Sequence, residues 1–219
     1  MPEVLKRPVK RVGRPETRPK REIELIEFFG TEDDEIRLRI RWDIRPVHAG
    51  DVSALFGGLE SILNRAMRAF LSTEEDGRRI LEVVDPSESL IEIEIEELSL
   101  GSLKAIVKLI EKIDIRERAR KGGKALADHL KDLAIHEVLK EAIKKSAHWA
   151  VFAVAYFGFG FDNPKHDTGL SDVVVKQELK HAEDVLRDLG KYDFPSKLSI
   201  EENVTRTRAS VDLPLSPGK

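Results

Sequence analysis

The sequence predicts an α+β domain, an antiparallel sheet of mixed charge packed against helices, with an extended basic N-terminal arm outside it. Two strand patterns, one helical stripe and a charge asymmetry point there. Ile36, Leu38, Ile40 and Trp42 alternate with Arg37, Arg39 and Arg41, and Ile91, Ile93 and Ile95 alternate with Glu92, Glu94 and Glu96. Both have the period of two that belongs to a strand with one buried face. Val52, Leu55, Phe56, Leu59, Ile62, Leu63, Ala66 and Phe70 recur at helical spacing. Residues 1–21 carry eight Lys/Arg against Glu3 and Glu16, a charge of +6, which leaves the remainder of the chain at −9 (29 basic against 38 acidic). Such a split marks an interaction tail on an acidic body.

The arm spans residues 1–22. Pro2, Pro8, Pro15 and Pro19 interrupt helix and remove ladder donors, and its apolar content is too low to bury. Residues 23–219 form a single α+β domain, β-rich over 23–100, mostly helical over 103–190, and closed by a strand over 204–213. With 41% hydrophobic and 35% charged residues, this body has the composition of a folded protein with a charged surface. The absence of cysteine excludes disulfides, thiolate catalysis and thiolate metal sites, and fits a reducing compartment. A cytoplasmic location is expected, since the basic N-terminus is not followed by an apolar stretch of the secretory kind and its prolines oppose a transit helix.

Along the body, Ile23, Leu25, Ile26, Phe28 and Phe29 read as a first strand ending at Gly30 and turning through Thr31–Asp34 into the strand 36–42 as a hairpin. The arginine row and the glutamate row have equal length and opposite sign. Cross-strand pairs of that kind contribute about 0.2–1 kcal/mol each, so the two strands are expected to be neighbours, with the arginine face a solvated charge ladder. Asp51 is the expected N-cap of a helix running to about Leu71, and Gly57 and Gly58 within it imply a closely packed neighbour. The segment 103–113 fits a helix through Ile106, Leu109, Ile110 and Ile113, and a strand through Leu103, Ala105, Val107 and Leu109; helix is preferred. After Gly122 and Gly123, a long helix is expected from about Lys124 to at least Ser146.

Residues 146–161 carry no formal charge with His148 neutral, yet are too few for a membrane helix of about 20 residues. They read as a buried helix end followed by an extended stretch. In that stretch Phe157, Phe159 and Phe161 share one side, and Gly158 and Gly160 leave room for a close backbone on the other. Core is the favoured reading over a self-association surface or a membrane-interface segment. A loop follows over Asp162–Gly169, then a helix capped by Ser171 or Asp172 and ended by Gly190. Thr205, Thr207, Ala209, Val211 and Leu213 form one face of the last strand.

Chemical motifs fail on specific positions. A phosphate-binding loop around Gly123-Lys124 needs Gly at 118 and Ser or Thr at 125, where Arg118 and Ala125 stand. Gly158-Phe159-Gly160 begins a dinucleotide fingerprint whose third glycine is replaced by Asn163. His136-Glu137 lacks the second histidine of a zinc-protease helix, because Lys140 occupies that position. His129, Asp132 and His136 lie at i, i+3 and i+7 and could share a helix side as metal ligands, with ordinary surface residues the favoured reading. Asp162, Asn163, His166 and Asp167 could supply an acid or base, and are equally what a turn requires. No cofactor and no metal is expected.

Lys6, Arg7, Lys10, Arg11, Arg14, Arg18, Lys20 and Arg21 are therefore the expected binding residues. They are spaced along an extended chain that can track a polyanion. Lys10-Arg11-Val12-Gly13-Arg14-Pro15 resembles the core of an AT-hook, a minor-groove motif built on Arg-Gly-Arg-Pro. Arg11 is displaced by one residue from the motif's first arginine, and Glu16 stands where a basic residue is expected. The resemblance implies nucleic acid as one class of partner. The other class, a homo-oligomer or an acidic protein surface, follows from the charge split. The sequence thus predicts a non-catalytic binding or assembly protein, with nucleic-acid binding and an enzyme with a dispersed active site or a membrane-interface effector as alternatives.

Overall fold

The computed structural model describes residues 35–44, 46–99, 103–112, 114–122, 133–159, 169–191 and 195–215, together with 128, 130 and 131. Five strands form one antiparallel sheet: β1 (Ile36–Trp42), β2 (Ile91–Ser99), β3 (Leu103–Glu111), β4 (Ser196–Glu202) and β5 (Arg208–Leu213). The described helices are α1 (Ala49–Thr73), α2 (Glu75–Leu81), α3 (Ile115–Lys121), α4 (Ile135–Phe159) and α5 (Asp172–Leu189). The spatial order β2-β3-β1-β4-β5 places the first strand at the centre and brings the last two strands to its far side. This is the α+β class that the alternation and the helical stripe imply.

Alternation decides the layers. Ile36, Leu38, Ile40 and Trp42 are buried on the inner face together with Leu103, Ala105, Val107 and Leu109 of β3, Leu198 and Ile200 of β4, and Ala209, Val211 and Leu213 of β5. Against this face pack α1 and α4, which also pack on each other, and α5 lies on α1. The indole N–H of buried Trp42 donates to Ser196 Oγ at 3.0 Å, so the largest core side chain leaves no polar atom unpaired.

β3 is a strand where a helix was the preferred reading. The two patterns competed over the same residues, and burial of Leu103, Ala105, Val107 and Leu109 on one face shows that period two wins. A lone amphipathic helix of nine residues gains little by itself, whereas the same residues in a strand complete ladders on both sides. This strand also overturns the expected pairing of the arginine and glutamate rows. β3 lies between β1 and β2, with Arg37 opposite Lys108 and Lys108 opposite Glu94. The opposite charges still meet across the intervening lysine row: Arg37 Nε reaches Glu96 directly at 2.9 Å, and Glu35, ahead of β1, pairs with both Arg37 and Lys108. Nor is the arginine row a freely solvated ladder, since the paired side chains of Arg39 and Glu201 are each only 12% exposed. The strand expected over 23–29 lies outside the described residues, and β1 has both of its edges filled, by β3 and β4.

Helix boundaries moved where caps were misassigned. His48 is the N-cap of α1, and Asp51 is the third helical residue, its carboxylate accepting the His48 N–H at 2.7 Å. The helix expected to run on from about Lys124 is interrupted at 133–134, and α4 spans Ile135–Phe159; residues 123–127 lie outside the described residues. The apolar run is core, as favoured, from Trp149 to Val154. The chain is helical rather than extended through Phe157, Gly158 and Phe159, and Phe161 lies outside the described residues. The expected close backbone is nonetheless present: a Cβ on Gly158 would lie 2.0 Å from the Ser210 carbonyl oxygen of β5. Of the glycine pair in α1, Gly58 abuts Val185 of α5 and Gly57 faces open space. The cap of α5 is as expected, Ser171 Oγ accepting from the Val174 N–H and Gly190 ending the helix. The last strand starts at Arg208, later than expected, and β4 was not anticipated although Leu198 and Ile200 alternate with Lys197, Ser199 and Glu201.

Candidate functional site

The arm residues Lys6, Arg7, Lys10, Arg11, Arg14, Arg18, Lys20 and Arg21 lie outside the described residues, as do Asp162, Asn163, His166 and Asp167. Of the three metal-ligand candidates, His129 and Asp132 lie outside them too. His136 sits exposed in the first turn of α4, its Nδ1 3.6 Å from a Glu111 carboxylate oxygen. Among the described residues no three His, Cys, Asp or Glu side chains are grouped to hold a metal ion, and no helix is long and apolar enough to cross a membrane.

Three polar constellations remain; only the glutamate row of the third was read from the sequence, as half of a charge ladder. The first closes the β4–β5 turn. Glu202, 1% exposed on the inner side of β4, accepts from the N–H groups of Val204 at 2.6 Å and Thr205 at 3.0 Å, and from the hydroxyls of Thr205 and Thr207. Burial pushes this carboxyl up, but His148 first, and then the donors of Thr205 and Thr207, more than offset it and hold it at about 2. His148 of α4 stands at ion-pair distance, Nδ1 3.8 Å from Oε1, and touches both threonine hydroxyls at 3.3 and 3.4 Å. Carboxylate, hydroxyls and imidazole are thus together, but both threonines and the carboxylate converge on the same imidazole nitrogen. A relay needs them on opposite nitrogens, so the geometry is that of a turn clamp.

The second constellation lies in the seam between α1 and α5. Arg65 grips buried Glu178 with two bonds of 2.9 Å, and Ser61 Oγ is 2.9 Å from His181 Nε2. Burial, and secondarily the Arg65 charge, lower the His181 pKa and favour neutral imidazole. A serine bonded to a neutral histidine is the start of a nucleophilic pair. Ser61, however, is in mid-helix, where neighbouring N–H groups are committed to the helix and cannot serve a developing oxyanion, and Glu178 is bound by arginine. The pair fastens the two helices.

The third is the outer edge of β2, at one side of the sheet. Glu92, Glu94, Glu96 and Glu97 are exposed along it, and Ile95 and Leu98 are each 43% exposed. Asn64 of α1 meets the start of this edge: Oδ1 accepts from the N–H groups of Leu90 at 2.6 Å and Ile91 at 2.9 Å, and Nδ2 donates to the Ile91 carbonyl at 3.2 Å. Asn64→Ala leaves two buried N–H groups without an acceptor and is expected to cost about 2–3 kcal/mol by urea unfolding. Asn64→Asp, which keeps the acceptor, should recover part of that loss. An acidic strand edge joined to exposed apolar side chains can recruit an extended chain, and of the three constellations it alone presents backbone without a partner among the described residues.

The class that these features define is an α+β domain with an antiparallel five-stranded sheet covered by helices on one face, without an assembled catalytic constellation among the described residues. No protein-family model matches the chain, and comparison with the curated proteins and with the solved structures found no match.

Proposed function

We propose that this chain is a non-catalytic binding or assembly protein that self-associates or docks a partner, with its basic arm as the interaction element. The observation that carries the reading is the division of charge, +6 over residues 1–21 against −9 for the rest. Arms of this kind bind by ordering on an oppositely charged surface. Deleting residues 1–22 should lower the oligomeric state measured by size-exclusion chromatography with light scattering, and raising the salt concentration on the full chain should do the same.

The resemblance of Gly13-Arg14-Pro15 and its basic flank to an AT-hook favours a second reading, nucleic-acid binding through the same arm. If the deleted protein keeps its oligomeric state and loses DNA or RNA binding, the assembly reading is wrong and the second one stands.

A further inference from the structure

The geometry points to the outer edge of β2 as a strand-addition site for an extended peptide whose basic residues alternate with apolar ones. The phase of the ladder sets which groups it offers. The Lys112 N–H donates to the Leu90 carbonyl at 3.0 Å, so Leu90 is turned toward β3. In an antiparallel ladder the next residue, Ile91, opposite Glu111, points its backbone groups the other way. There Asn64 meets them, bonding both the N–H and the C=O of Ile91. One amide side chain thus occupies the first rung of the outer edge as a neighbouring strand would. The same phase directs the N–H and C=O of Ile93 and Ile95 outward, before the bulge between Ile95 and Glu97 resets the register. Neither residue has a described partner on that side.

Side chains select the occupant. A strand laid against this edge sets its residues alternately beside Glu92 and Glu94 on the outer face and beside Ile93 and Ile95 on the inner face. Basic residues answer the first row. Apolar residues answer the second and extend cover over Ile95 and Leu98, which the helix layer leaves exposed. A second copy of β2 does not satisfy the requirement, because its glutamates would stand opposite these glutamates; against that pairing the charged, bulged edge is protected. The inference does not rest on the arm, whose Pro8 and Pro15 interrupt the alternation required.

The test uses the full-length protein and an acetylated, fluorescein-labelled Lys-Val-Lys-Val-Lys-Val-Lys peptide, with the Glu-Val counterpart as control, read by anisotropy and by amide hydrogen exchange. The basic peptide should bind, the acidic one should not, and exchange should slow at Ile93 and Ile95. Ile95→Pro removes an edge-facing N–H without touching the ladder to β3, so binding should be lost while the far-ultraviolet circular dichroism is unchanged. Should that variant fail to fold, N-methylation of alternate residues of the peptide removes the same bonds from the other partner and should abolish binding to the native protein. Glu92→Lys with Glu94→Lys should weaken binding about tenfold. Absence of binding, slowed exchange at residues other than Ile93 and Ile95, or full binding by a folded Ile95→Pro variant or by the N-methylated peptide overturns the proposal.

Discussion

Replacing Glu202 by Gln should destabilise the protein by about 3 kcal/mol at neutral pH, with the loss disappearing as the medium is acidified from about pH 4.5 toward pH 2. The carboxylate is the acceptor for three backbone N–H groups, those of Val204, Thr205 and Thr207, and for two hydroxyls within its own turn. An amide can offer only one oxygen to those donors and turns two N–H groups against the rest. The sign follows from the direction of the shift. The folded carboxyl titrates near 2 and the unfolded one near 4.5, so the folded state holds fewer protons, and its advantage is complete above 4.5 and lost as the pH falls through 2. Urea unfolding of both proteins across that range isolates the contribution, because every other titrating group cancels in the difference between them. A difference that stays constant down to pH 2 would show that Glu202 acts by shape and not by charge.

Much of the fold was legible because hydrophobic alternation is a local property. β1 and β2 could be read from seven or so residues each, and the core face of α1 from its stripe, although Met67 and Leu71 also belong to it. What could not be read was decided by distant residues. Leu103–Glu111 satisfies both periodicities, and only the ladders offered by β1 and β2 make the strand the better use of those residues. The pairing of the arginine and glutamate rows was inferred from charge alone, but β3 carries Lys104 and Lys108 and can neutralise the glutamates itself while β1 supplies its other edge. The candidate surfaces were hidden for the same reason. Asn64 and Ile91 are separated by 27 residues, and Arg65 and Glu178 by 113. Glu202 and the threonines beyond it are neighbours in sequence, yet nothing in a short polar run distinguishes an exposed turn from one that folds around a buried carboxylate.

Gly158→Ala should be the most damaging single-methyl change available in α4, at about 3 kcal/mol or more. The added carbon would fall 2.0 Å from the Ser210 carbonyl oxygen and 3.1 Å from its carbon, both backbone atoms of β5. A rotamer change cannot relieve such a contact, so the end of α4 must lift from the strand. That movement would also disturb the aromatic packing upstream, where Phe152, Tyr156 and Phe157 lie in successive ring contacts. Gly57→Ala supplies the control, because nothing lies within 4 Å of its added carbon. Alanine at this mid-helix position of α1 should stabilise by up to about 1 kcal/mol. Opposite signs for one chemical change in two helices, measured as shifts of the urea midpoint, separate close packing from helix propensity. If Gly158→Ala proves neutral, α4 and β5 do not approach as closely as the structure places them.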